Sequence, residues 1–190
     1  MSEKRYKILK GLFGYTDSHI PAFIEHLPED ELEQLNNFIN KIIKKKTAGL
    51  DNLYKICADG IKFIPNFLIH GLIRLLDPPI LAAIAEKAEW KELINLAKDV
   101  QLEYIQVAFL YLEPKLGARI LGTLDKNKMK KVMEFVTIKN HKKTLEFAEF
   151  LNHEQVYFFL KNSSLDFLQD QELKEFYPEG YTKLENLLLK

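Results

Sequence analysis

The 190-residue sequence predicts an all-α protein: stacked helical hairpins that wind into a short right-handed superhelix. Three observations predict it. Apolar residues recur at helical spacing, and no period-two run is long enough to commit to a sheet. A helix–break–helix pattern occurs twice, as Leu72-Ile73-Arg74-Leu75-Leu76-Asp77-Pro78-Pro79-Ile80-Leu81-Ala82-Ala83-Ile84 and as Ala108-Phe109-Leu110-Tyr111-Leu112-Glu113-Pro114-Lys115-Leu116-Gly117-Ala118-Arg119-Ile120. The breaks recur at a fixed distance, since Pro78 and Pro114 are 114 − 78 = 36 residues apart, a helical-hairpin repeat length.

Each element follows from local chemistry. Residues 3–13 suit a short helix ended by Gly14. Ile20 to Lys46 reads as two helices broken at Pro28, with Glu29, Asp30, Glu31 and Glu33 at the start of the second and Lys44, Lys45 and Lys46 at its end, both complementing the helix dipole. Leu50 to Ala58 is helical, with Asp51 placed to cap it, and Gly60 and Pro65 mark a kink or a boundary before a long apolar helix, which is read over Ile61–Leu76. Apolar residues cover most of that helix's circumference, so it is expected to be mainly internal. In each repeat the acidic residue, Asp77 or Glu113, can accept from the free N–H groups of the next turn, and the proline costs nothing at a first helical position. Leu102, Ile105, Phe109 and Leu112 form one stripe, and Leu116, Ile120 and Leu124 the facing one; Leu76 and Leu112, just before the breaks, are expected to face the interior. Asp125 can cap the helix that carries Met129, Val132, Met133 and Val136. Ser163 or Ser164 can cap a later start, and Tyr177-Pro178-Glu179-Gly180 is a turn before the last helix. The whole reads as one domain, with core repeats over residues 59–138 between an N-terminal cap (1–58) and a C-terminal cap (139–190). Weaker copies around Pro28 and around Asn152 supply the atypical ends that a stack requires.

The Leu-acidic-Pro break followed by small and aliphatic residues resembles the helical repeats in the cytoplasmic N domain of MgtE-type magnesium transporters. It is similar, too, to the middle region of the flagellar motor switch protein FliG. The likeness is best over residues 69–138 and implies an armadillo-like solenoid fold, not an activity. The sequence holds neither membrane spans nor the nucleotide-binding module that follows this domain in the transporters. The motor protein's Glu-His-Pro-Gln signature is absent, Glu25-His26-Leu27-Pro28 only approaching it.

Composition narrows the function. Lysine plus arginine equals aspartate plus glutamate at 27 each, so no global field favours nucleic acid or an anionic membrane. The single cysteine, Cys57, rules out an internal disulfide framework and fits a reducing, cytoplasmic setting. Gly11, Gly14, Asp17 and Pro21 interrupt the N-terminal region, which argues against a signal peptide, and no uncharged apolar run reaches spanning length. The five histidines, His19, His26, His70, His141 and His153, show no zinc-type pairing, so no metal, no cofactor and no catalytic residue is expected. Cys57 shares a helix face with Leu53 and Ile56 and is expected to be a buried thiol. Gly117 and Gly122 lie inside helices, where close packing explains them.

Two residue sets remain as candidate partner-binding features. Lys62, Asn66, His70 and Arg74, spaced four apart, form a narrow polar stripe on an otherwise apolar helix. It is either the polar floor of a groove, with His70 and Arg74 able to hold a carboxylate or backbone carbonyls, or the solvated edge of a central helix with Asp59 pairing to Lys62. The second candidate is the lysine-rich run, where Lys126, Lys128, Lys130, Lys131, Lys139, Lys142 and Lys143 oppose only Glu134, a local 7 − 1 = +6. Lys128, Lys131, Lys139 and Lys142 are its docking candidates for an acidic protein or anionic surface, against the plainer reading of a solvated face. The function these observations point to is a non-enzymatic protein-interaction or scaffold module that uses a groove. The alternative is a peripheral membrane or transporter-associated regulator.

Overall fold

The structure, a computed structural model, describes residues 1–14, 19–160 and 165–188. Within these it does not describe the side chains of Asn66, Phe67, Asp99, Phe159, Leu160, Leu187 and Leu188. Helix is the regular secondary structure of the described residues, with no strand among them, as the periodicity predicts. They fall into two compact units, Met1–Asp51 and Asn52–Lys190.

The first unit holds α1 (Glu3–Gly14), α2 (Ala22–Glu25) and α3 (Glu29–Thr47). Helix α1 packs on α3 and buries Leu9, Leu12 and Phe13, while α3 buries Leu32. Proline 28 stands at the N-cap of α3, as the break at that residue predicts. The Arg5 guanidinium donates to the Leu27 carbonyl at 2.7 Å and also to that of Glu25, which ties the connection before α3 to α1. Lys4 donates to Glu33 at 2.6 Å, and this bond holds the ammonium pKa above its ordinary value. Beyond its first turns α3 is largely exposed, Phe38, Ile42 and Ile43 included.

After α4 (Leu50–Ile61), the second unit runs through α5 (Asn66–Ile73), α6 (Pro78–Ala85), α7 (Trp90–Asp99), α8 (Leu102–Phe109), α9 (Pro114–Leu121) and α10 (Lys126–Lys139). It continues with α11 (His141–Phe150), α12 (His153–Leu160), a 3-10 turn at Asp166–Gln169, α13 (Gln171–Phe176) and α14 (Pro178–Leu188). Helices α5 to α10 start on a strict beat. Their N-caps, Pro65, Asp77, Glu89, Gln101, Glu113 and Asp125, are each 12 residues apart (77 − 65 = 12, through to 125 − 113 = 12). From α6 to α12 packing skips one helix at a time: α6 lies on α8, α8 on α10 and α10 on α12, while α7 lies on α9 and α9 on α11; α10 also packs on α11, and α11 closes on α14.

This beat corrects the expected repeat. A helix and its next packing partner are 24 residues apart (102 − 78 = 24 for α6 and α8). The 36-residue spacing of the prolines is three helices, an odd number, so Pro78 and Pro114 open helices in alternate packing series. The caps also differ. The Glu113 carboxylate accepts from the Lys115 and Leu116 N–H groups at 3.1 and 2.8 Å, and Asp125 accepts from Lys128 N–H at 2.9 Å. Asp77 occupies the N-cap of α6 but makes no side-chain cap bond.

The core lies where α8 to α11 and α14 meet. Leu121, Val132, Met133, Val136, Leu145 and Leu184 are fully buried, and Phe109 tilts against Phe147 with 5.8 Å between ring centroids. Ile105, Phe109, Leu112, Ile120 and Leu124 are buried as expected, with Leu102 and Leu116 half-buried. Two glycines permit the closest approaches. A Cβ on Gly117 would enter the Phe147 ring, and one on Gly180 would enter the Leu145 backbone, so α9 and α14 can both sit directly on α11.

The expected long helix over Ile61–Leu76 is not continuous. Ile61 ends α4, residues 62–64 turn, and Pro65 caps α5, because a proline lacks the N–H that would carry the helix through. Nor is the segment mainly internal. Ile69 and Ile73 are buried, but Leu68 and Leu72 are about half exposed (49% and 46%), while Phe63 and Leu75 reach 80% and 82%. Leu76 is half-buried rather than interior. Cys57 is exposed together with Leu53 and Ile56, so the expectation of a buried thiol fails: the apolar face of α4 that carries it faces outward. The capping sites proposed at Ser163 and Ser164 lie outside the described residues. Among the described residues no helix is long and apolar enough to cross a membrane.

Candidate functional site

The break at residues 62–65 takes apart the predicted polar stripe. Lys62 sits in the turn before α5, exposed, with its ammonium 5.3 Å from the centroid of the Phe63 ring. Asn66 opens α5, and its side chain lies outside those described. His70 and Arg74 stay on one side of α5, four residues apart, and the fold brings Gln101 and Tyr104 of α8 to them. The four line a pocket of about 110 Å³ with Ile73 and Val100.

This pocket is polar in a specific way. The His70 Nε2 atom is buried and has no hydrogen-bond partner, the one such side-chain atom among the described residues. A buried polar atom left unpaired costs roughly 1–3 kcal/mol, so the His70 Nε2 is a hydrogen-bonding position that no described side chain fills. Arg74 is the C-cap residue of α5 and is exposed, a position where its charge complements the carbonyl end of the helix. Gln101 is the N-cap of α8 but makes no side-chain cap bond, so the first-turn N–H groups of α8 are not capped by it. Tyr104, in that first turn, is half-buried and presents a phenol that donates or accepts.

A second, apolar cavity of about 90 Å³ adjoins it. Ile73, Val100 and Tyr104 line both spaces, and Ile84, Leu93, Phe109 and Ile120 close the apolar one. The two spaces share walls and differ in character: one is lined by His70, Arg74, Gln101 and Tyr104, the other almost wholly by hydrocarbon. Sequence spacing located His70 and Arg74, but missed Gln101 and Tyr104. Those are separated from α5 by two helices, and only the 12-residue beat places the start of α8 beside the end of α5.

The lysine-rich run does not form one face. The Lys128 ammonium donates to the carbonyls of Ala97, Lys98 and Val100, all at 2.9 Å, and so caps the C-terminal end of α7. The charge of this docking candidate is thus engaged within the fold. Lys130 pairs with Glu134 at 3.5 Å, and Lys143 with Glu146 at 3.1 Å. Lys126 lies 5.8 Å from the centroid of the Phe158 ring. Lys142 is half-buried, and Lys131 and Lys139 are exposed. The local +6 is thus divided among separate contacts.

No family model, curated protein or solved structure matches this chain.

Proposed function

We propose that the chain is a non-enzymatic protein-interaction module built as a short α-solenoid, working in the cytoplasm. The skip-one packing of α6 through α12 supports the solenoid reading, because each helix meets the helix two places on, as in a stack of hairpins. The observation that carries the interaction reading is the outward apolar face of α4 and α5. Leu53 and Ile56 are spaced for one face of α4, and Leu68, Leu72 and Leu75 follow one stripe along α5 and its final turn. Continuous apolar stripes left to water are a mark of an interface. In this reading the resemblance to MgtE-type N domains and to FliG is one of architecture.

The test compares the natural protein with a triple variant, Ile56→Glu, Leu72→Glu and Leu75→Glu, in affinity capture, light scattering and liposome flotation. All three side chains are exposed, so melting should change little. The expected result is a monomer that does not float and that retains partner proteins the variant loses. Flotation of the natural protein at physiological salt, abolished in the variant, overturns this in favour of the peripheral membrane regulator. The exposed Phe63 and Leu75 beside Lys62 and Arg74 are what that second reading rests on. A stable dimer would reassign the face to self-association.

A further inference from the structure

We propose that the pocket of His70, Arg74, Gln101 and Tyr104, with the apolar cavity behind it, binds a short aliphatic carboxylate. This does not rest on the interaction reading, since the site is separate from the outward stripes of α4 and α5.

Three independent features of the mouth favour an anion. The buried His70 Nε2 lacks a partner and, protonated at that atom, donates to an oxygen. The Arg74 guanidinium supplies fixed positive charge and a planar fork suited to a carboxylate. The start of α8, left uncapped by Gln101, adds peptide N–H groups and the positive end of the helix dipole. Neither Asp nor Glu lines the pocket. Uncharged donors alone would suit a carbonyl; the guanidinium and the helix end together select a negative charge.

The interior sets the rest of the ligand. The cavity behind the mouth is lined by aliphatic and aromatic side chains apart from the Tyr104 phenol, so it rejects a second charge. At about 90 Å³ it is smaller than the roughly 150 Å³ void known to admit benzene, which limits the tail to a short alkyl or branched chain. Both spaces share Ile73, Val100 and Tyr104, and the proposed ligand sets its carboxylate on one side of these residues and its tail on the other. Two sources offer this chemistry: a free short-chain acid, and the C-terminal residue of a peptide that ends in leucine or isoleucine.

Titration of the full chain, followed by the NMR signal of the His70 ring protons, tests the site. The probes are 4-methylpentanoate, 4-methylpentanamide, and a tetrapeptide ending in leucine as free acid and as amide. Saturation by an acid below about 10 mM, a range open to a ligand of this size, with a shift of the His70 signal, is expected. The matching amide should bind at least tenfold more weakly. Saturation by 4-methylpentanoate identifies a small-molecule site, and saturation by the peptide acid alone identifies a chain terminus; either supports the proposal. Arg74→Ala should weaken the acid at least tenfold while lowering melting only slightly, because Arg74 is exposed and contributes to the fold only through the end of α5, and Arg74→Lys should restore part of the loss. His70→Gln, which keeps a donor, should weaken it less than His70→Phe. Absence of saturation by both acids, equal binding of acid and amide, or an Arg74→Ala protein with unchanged affinity would each overturn the assignment.

Discussion

Helices α5 and α8 are built to the same plan and have opposite fates. Both are eight residues long, and they start 102 − 66 = 36 residues apart. Both carry apolar side chains at matching positions, Ile69 with Ile105, Ile73 with Phe109, Leu76 with Leu112. Yet α8 lies between α6 and α10, whereas among the described residues α5 has no packing partner of comparable extent. Ala108 of α8 is buried, and its counterpart on α5, Leu72, is 46% exposed. The small residue lets a neighbour approach; the large one stands in solvent. Periodicity therefore sets which side of a helix is apolar, and the number of neighbours sets whether that side is buried.

The sharpest way to break this comparison is a charge placed on each helix's following turn. Leu112→Asp puts a carboxylate into a site 3% exposed, and is expected to cost several kcal/mol, on the order of the whole stability margin. Leu75→Asp, at 82% exposure, is expected to change stability by less than about 0.5 kcal/mol. Urea unfolding of both reads the difference. Similar losses for the two would show that the α5 face is covered.

Glycines give a second contrast, with a change of sign. Gly180→Ala drives a Cβ into the Leu145 backbone, which cannot rotate away, and Gly117→Ala drives one into the Phe147 ring. Each is expected to destabilise by roughly 1–3 kcal/mol, the overpacking range, with Gly180→Ala the larger. Gly71 on α5 has nothing within 4 Å of an added Cβ, so Gly71→Ala is expected to stabilise by about 0.5–1 kcal/mol. Thermal melts of the three variants check both the order and the sign.

Lysine 128 offers an intermediate effect. Lys128→Met leaves the carbonyls of Ala97, Lys98 and Val100 without their shared donor, and is expected to cost about 1–3 kcal/mol. Lys131→Met, on the exposed side of the same helix α10, is expected to be neutral within about 0.5 kcal/mol. Equal effects in chemical denaturation would restore the lysine run as a single surface feature.

These contrasts also show what could be read from residues alone. Helix identity, the breaks at Pro28, Pro78 and Pro114, the caps at Glu113 and Asp125, and the buried stripe of α8 follow from local signals: proline geometry, acidic caps and spacing. Those signals act over a turn or two. The twelve-residue beat was present as the series Pro65, Asp77, Glu89, Gln101, Glu113, Asp125. Prolines mark only two of its helix starts as a first residue, so a search keyed on them finds the threefold multiple. What could not be read was long-range: that Lys128 meets the end of α7, that Gln101 and Tyr104 meet His70, and that α4 and α5 face outward. Each depends on which helices become neighbours, and identical local patterns permit either outcome.

The smallest expected difference tests that limit at one atom. Asp77 and Glu113 hold the same place before a proline, and the residue types alone favour Asp77 as the better cap. The Glu113 carboxylate accepts two N–H bonds, whereas the Asp77 side chain accepts none. Glu113 is further positioned by its own N–H, which donates to the Glu86 carboxylate at 2.9 Å. Removing a working cap costs about 1 kcal/mol, and removing an idle one costs only the difference in backbone preference, a few tenths. Glu113→Ala is thus expected to lower stability by about 1 kcal/mol and Asp77→Ala by less than about 0.3 kcal/mol. The Glu113 effect should persist in high salt, because two hydrogen bonds rather than long-range charge carry it. Amide hydrogen exchange at Lys115 and Leu116, faster in Glu113→Ala, locates the loss at the first turn of α9. Equal destabilisation by the two substitutions would mean that Asp77 caps α6 in solution and that the two proline-led helices are held alike.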